Sequence, residues 1–133
     1  NGSGKTSLLG LVPRLFEPTE GRVTIDGVDL ATANLASLRD QLAVVTQETV
    51  LFRGTVLDNI GYGLADPDRD ALIDAARRAT ADEFVTKLPD GYDTKLGDGG
   101  MSLSGGQRQR LTIARAIARD PSILILDVAT SMT

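Results

Sequence analysis

The chain of 133 residues contains no cysteine and no histidine. Without cysteine there is no disulfide framework and no thiolate metal site, and the redox compartment leaves no mark on the sequence. Without histidine there is no imidazole to act as a base. An excess of basic charge is lacking too: the net charge is −4, which argues against a nucleic-acid surface as the main partner. No apolar run approaches the roughly 18 residues needed to cross a bilayer. The opening residues, Asn1-Gly2-Ser3-Gly4-Lys5-Thr6, do not form a signal peptide. No initiating methionine is present and Ser131-Met132-Thr133 is not a natural ending, so the chain reads as a fragment truncated at both ends. What is there has the apolar and charged content of an ordinary globular protein and a length suited to about one domain.

The most informative stretch is Leu103-Ser104-Gly105-Gly106-Gln107. Ser104 and Gln107 have the spacing of a capping box, and the run from Arg108 to Arg119 is strongly helical in pattern. A helix that starts here offers free backbone N–H groups and a positive dipole end to an anion. Taken alone, it is equally an ordinary capped helix. At the other end of the chain, Gly2-Ser3-Gly4-Lys5-Thr6 fits the close of a phosphate-binding loop, G-x-x-x-x-G-K-[ST], whose leading glycine would lie before residue 1. Glycines let successive N–H groups turn inward around an anion, Lys5 would reach the β and γ phosphates, and Thr6 would ligate Mg²⁺.

Between these stretches the pattern alternates strands and helices. Apolar residues from Leu8 to Phe16 have helical spacing, weakened at Pro13. Residues 22–30 read as a hairpin turning at Asp26-Gly27, residues 35–41 as a short helix, and Leu42–Thr46 as a buried strand. Gln47 follows it, either as a polar loop residue or at the edge of a nucleotide pocket, reaching the metal or the attacking water. Residues 55–60, 68–80 and 82–88 read as helices, with the charges of the second on a solvated face. Phe52 and Tyr62 read as packing residues, and residues 94–102 as an exposed glycine-rich loop. After the helix of residues 105–119, Asp120-Pro121 stops the pattern, and Ile123–Leu126 reads as a strand buried on both faces of a parallel sheet. Asp127 then stands at a strand's carboxyl end, where open α/β sheets bind ligands and where a Mg²⁺ partner is expected.

These stretches, in this order, resemble the nucleotide-binding domain of the ATP-binding cassette (ABC) transporter family, over essentially the whole chain. Leu103–Gln107 matches that family's signature sequence, Gln47 its Q-loop and Ile123–Asp127 its Walker B strand. Phe52–Val56, Asp58–Ile60 and Leu88–Tyr92 look most like the exporter branch. The resemblance implies an α/β P-loop NTPase core with a partial parallel sheet and flanking helices, an antiparallel hairpin, and an inserted all-helical subdomain. Residues 1–47 and 120–133 would form the core, and about 55–119 the helical part with the signature helix. Asn1, Gly2, Ser3, Gly4, Lys5, Thr6, Ser7 and Gln47 would bind ATP. Thr6, Gln47 and Asp127 would meet Mg²⁺, with Gln47 and Asp127 as catalytic residues. Leu103, Ser104, Gly105, Gly106 and Gln107 would contact ATP held by a second such domain in a head-to-tail dimer. Transmembrane domains would be the other partner, which puts the chain at the cytoplasmic face of a membrane. No nucleic acid is expected.

One departure stands out. The family usually has a glutamate directly after the Walker B aspartate; here it is Val128, which can neither accept a proton nor orient water. The resemblance still implies ATP hydrolysis coupled to export as the expected activity. The alternative is a degenerate partner that binds ATP, hydrolyses it poorly and completes its neighbour's site. A soluble cassette ATPase is a third, weaker reading.

Overall fold

The computed structural model describes residues 4–97 and 101–127, apart from the side chain of Thr6. Its elements, in chain order, are α1 (Lys5–Leu9), β1 (Thr24–Ile25), β2 (Val28–Asp29), α2 (Leu35–Asp40), β3 (Leu42–Val45), β4 (Gly54–Thr55), α3 (Val56–Ile60), α4 (Arg69–Arg78), α5 (Asp82–Val85), β5 (Lys95–Leu96), α6 (Gly105–Ala118) and β6 (Ile123–Leu126). This is an α/β arrangement with both parallel and antiparallel pairing. Among the described residues no helix is long and apolar enough to cross a membrane.

Helix α6 spans 14 residues, about 21 Å at the usual helical rise. It touches two cores. Leu111 and Ala114, both fully buried, enter a large cluster with Val56 and Ile60 of α3, Leu72 and Ala76 of α4, and Val85 of α5. Ala116 instead packs against Ala43 and Val45 of β3. Beyond α6, Asp120 takes a left-handed conformation (φ 51°) and Pro121 follows, so the helix cannot continue.

Strands β3 and β6 pair in parallel, Leu42 opposite Ile123 and Val45 opposite Leu126. A third cluster, Leu30, Leu38 and Leu42, joins β3 to the hairpin and α2. The expectation of burial on both faces holds only in part. Val44, Leu124 and Leu126 remain 45%, 37% and 44% exposed. Among the described residues β3 and β6 form a sheet of two strands, and an apolar strand stays open wherever no layer is laid over it.

The hairpin turns where expected, with Asp26 (φ 51°) and Gly27 (φ 80°) both left-handed, as a type I′ turn requires. Its second strand is shorter than residues 22–30 predict. Asp29 accepts a hydrogen bond from Ala31 N and caps a 3₁₀ turn over Leu30–Thr32, which carries Leu30 into the core. Helix α1 stops at Leu9, and only turns connect it to Pro13, because the proline ring biases the preceding residue away from helix. Leu8, Leu15 and Phe16 stay exposed despite their helical spacing.

Residues 94–102 are not simply an exposed loop. Lys95–Leu96 forms β5, paired antiparallel to Gly54–Thr55, and Leu96 is buried at 2% exposure. Backbone bonds from Val56 N to Thr94 O (3.0 Å) and from Met101 N to Lys95 O (2.8 Å) hold the segment. A Cβ at Gly97 would lie 3.3 Å from the Arg53 backbone, and φ there is 91°, so glycine fits the close approach. Composition signalled the glycines but not the backbone partners that make this a strand.

The helical cluster ends in a polar clasp. The Tyr92 hydroxyl donates to the Asp82 carboxylate. Burial first, and this hydrogen bond second, push the hydroxyl above its ordinary value. The neutral phenol is thus favoured in the fold, so its contribution is complete below about pH 10, the unfolded value, and is lost as pH rises toward the folded one. Wild-type protein should therefore lose stability to denaturant more steeply above that pH than Tyr92→Phe. Equal slopes would mean that the hydroxyl is not favoured in the folded state.

Candidate functional site

Sequence reasoning placed the site at three positions, and the fold brings two of its residues together. Because β3 and β6 are parallel neighbours, their carboxyl ends lie side by side, and the Asp127 N–H donates to Val45 O at 2.7 Å. Asp127 is buried at 6% exposure, whereas Gln47, just past the end of β3, is exposed. Adjacent strands lie about 4.8 Å apart, so a polar amide and a buried carboxylate share one rim of the sheet. That rim is where open α/β sheets take ligands.

At the start of the chain, Gly4 is left-handed (φ 79°) with open space around it. Lys5 opens α1, and Lys5 and Ser7 are both exposed. Gly4 and Ser7 lie on an open hollow with Leu11 and Phe16. Asn1, Gly2, Ser3, the Thr6 side chain and Val128 lie outside the described residues.

The third position is the start of α6. The capping box at the start of α6 is complete: Ser104 Oγ accepts from Gln107 N at 3.2 Å, and Gln107 Oε1 accepts from Ser104 N at 2.9 Å. Leu103 is buried and anchors the turn, and Arg108 Nη1 donates to its carbonyl at 3.1 Å. Ser104 and Gly105 are exposed, and Gly106 and Gln107 half-exposed. Ser104 stands about 18 Å along the helix from Ala116, the residue that meets β3. A single copy thus presents an exposed helix start about 18 Å along α6 from the residue that meets β3.

Two residues went unnoticed as candidates. Asn59 is fully buried in α3. Its Oδ1 accepts from Phe52 N at 2.7 Å, and its Nδ2 donates to Phe52 O and Thr55 O, both at 2.9 Å. Arg115, on α6, donates through Nε to Asn59 O (2.8 Å), through Nη1 to Val50 O (2.9 Å) and through Nη2 to Asn59 Oδ1 (3.3 Å). Its guanidinium also lies 5.0 Å from the ring centroid of Phe52, which stacks on Tyr62 at 3.8 Å. Phe52 and Tyr62 are therefore a cation-binding stack and not plain core, and Tyr62 is 53% exposed. Desolvation holds Arg115 below the usual guanidinium range. The signal was present: an asparagine beside Val56 and Ile60, and an arginine one helical turn from Leu111.

A family model described as "ABC transporter" matches residues 1–131. The chain belongs to the ABC transporter family. Its relatives include the ATP-dependent lipid A-core flippase of Chromohalobacter salexigens, 54% identical over 98% of this chain and 23% of that protein. The flippase of the same name from Burkholderia pseudomallei is 56% identical over 98% of this chain and 22% of that protein. The heterocyst differentiation ATP-binding protein of a Nostoc species is 50% identical over the same shares. The chain thus spans less than a quarter of the length of these relatives. Family membership brings a P-loop α/β fold and ATP binding with it, and the parallel β3–β6 pair agrees with that class.

A donor set of one carboxylate (Asp127), one amide (Gln47) and one hydroxyl (Thr6) fits Mg²⁺ in this ABC chain. Mg²⁺ keeps several waters and is usually held by one or two carboxylates together with substrate phosphates. Asp127, buried at the end of a parallel strand, is the carboxylate of that set.

The capping box gives a direct check. Ser104→Ala should cost about 1 kcal/mol at this helix start and speed hydrogen exchange at residues 105–107. Exchange at Leu111 and Ala114, in the buried middle of α6, should not change. Loss of protection along the whole helix would show that α6 depends on its cap more than on its core.

Proposed function

We propose that this chain is the nucleotide-binding unit of an ABC exporter, binding and hydrolysing ATP to drive a substrate across a membrane. The observation that carries the reading is the capped, exposed Ser104–Gln107 start of α6. An exposed helix start of this kind suits a head-to-tail pair, in which each copy's signature helix faces the nucleotide of the other. Transmembrane domains are the second partner, on the cytoplasmic side, and the flippase relatives support an export role. Residues 1–47 and 120–133 form the P-loop core in this reading, and about 55–119 the helical unit. The cluster of α3, α4, α5 and α6 around Leu111 supports that division.

In this mechanism the backbone of Asn1–Gly4 and the side chain of Lys5 bind the nucleotide phosphates, helped by Ser7 at the start of α1. Thr6, Gln47 and Asp127 would hold Mg²⁺, which would supply charge neutralisation on the phosphates. Gln47 orients the attacking water from the open side of the rim. Leu103 supports the turn from which the Ser104 hydroxyl and the Gly105 and Gly106 N–H groups at the helix start donate to the γ-phosphate held by the partner, with Gln107 holding Ser104 in place beside it.

Val128 favours a second reading of the same site: nucleotide binding retained and hydrolysis impaired, with the intact signature serving the partner's chemistry. A positioned base contributes about 10²–10⁴-fold to rate. Val128→Glu in the intact protein should accordingly raise turnover at this site by at least about 10²-fold; an unchanged rate would sink the degenerate reading. Ser104→Arg should abolish turnover at the partner's site while nucleotide binding at Lys5 persists, measured with a labelled ATP analogue. Unchanged turnover in that variant would count against the head-to-tail arrangement.

A further inference from the structure

The segment that follows Gln47 and the helix that begins at Ser104 are joined by one side chain. We propose that Arg115, with Asn59 beneath it, is a positioning latch that ties the loop after Gln47 to the signature helix. The role it gives to those two ends rests on the nucleotide reading above.

Three observations support the latch. First, Arg115 sits on α6 but spends its donors elsewhere: Nε and Nη2 on Asn59, and Nη1 on Val50 O. Val50 is three residues past Gln47, so the bond grips the same loop. Second, that loop is gripped twice more. Asn59 bonds both the N–H and the carbonyl of Phe52, as a strand partner would, and the Phe52 ring lies under the guanidinium, stacked on Tyr62. Third, the site is an unusual place for a cation. Arg115 is half-buried, and the four ion pairs among the described residues do not include it. Among the described residues its charge is met by carbonyl oxygens and ring faces. An apolar side chain of similar length would serve helix packing as well, since a half-buried charge is a poor source of stability. A planar fork can hold two backbone carbonyls on different segments at once, and a lysine ammonium cannot reproduce that geometry.

The consequence is mechanical. Ser104 is about three helical turns from Arg115 on the same rigid helix. A shift of Gln47 and its loop is therefore passed through Val50, Phe52 and Arg115 to the start of α6, and the reverse also holds. Arg115 touches neither nucleotide nor metal in this scheme and acts only by position.

The test uses the intact protein with Arg115→Met, Arg115→Lys and Phe52→Leu, the last a milder change that keeps both Phe52 backbone bonds. Hydrogen exchange at residues 49–53 and 105–108 is measured with and without Mg-ATP, beside ATP turnover and melting temperature. In the absence of nucleotide, Arg115→Met should speed exchange at 49–53 by about tenfold, with a smaller rise in Phe52→Leu. With nucleotide, kcat should fall about tenfold in Arg115→Met and less in Arg115→Lys, while KM for ATP stays within about twofold. The nucleotide-dependent change at 105–108 should weaken in step with kcat. Unaltered exchange at 49–53 in Arg115→Met would overturn the latch. So would a fall in melting temperature matched by an equal loss of ATP binding in the Met and Lys variants, which marks a purely structural residue. If wild-type protein shows no response to Mg-ATP at either segment, the nucleotide reading fails, and the nucleotide-free comparison at 49–53 still decides the latch.

Discussion

The burial of α6 between two cores is the constraint on which the rest of the structure depends. Leu111 and Ala114 fill the helical cluster, and Ala116 meets Ala43 and Val45 on β3. Full burial of one leucine is worth about 1.5–3 kcal/mol, and the alanines let backbone approach backbone at the β3 contact. A helix with apolar residues on two faces cannot rotate to satisfy one core without exposing the other. Its azimuth is fixed, and with it the direction in which Ser104 and Arg115 point.

Polar groups finish what the apolar contacts leave open. The loop between β3 and β4 has few buried side chains of its own, and its backbone would otherwise be free. Asn59 supplies two hydrogen bonds to it, and a third to Thr55 of β4, from a fully buried position. A buried amide left without partners costs about 1–3 kcal/mol, so this asparagine and this loop conformation depend on each other. The exposed ion pairs, such as Arg69 with Asp93 at 3.0 Å, lie on the wet face of the helical unit and contribute little.

The site divides along α6. The sheet against which its second half packs ends in buried Asp127 and exposed Gln47, and its first turn is the capped start with exposed Ser104. That division gives meaning to Val128 in the proposed function: a chain can lose the group that serves its own rim and keep the terminus that serves another copy.

Much of this was legible from residues alone. The capping box at Ser104 and Gln107, the Asp26-Gly27 turn, the helices of 55–60 and 68–80 and the strand ending in Asp127 are set by contacts a few residues apart, and such contacts are written in spacing. The ABC family resemblance rested on the same short motifs. Other features needed the tertiary structure. The β5 strand exists because Gly54–Thr55 lies across from it, and the exposure of Leu124 and Leu126 depends on which layers cover the sheet. The Arg115 fork joins Val50 and Asn59 across separations of 65 and 56 residues. Sequence reads local geometry well because the backbone enforces it within a turn or two. It does not announce which distant carbonyl will receive an arginine, because only the packing of α6 decides that.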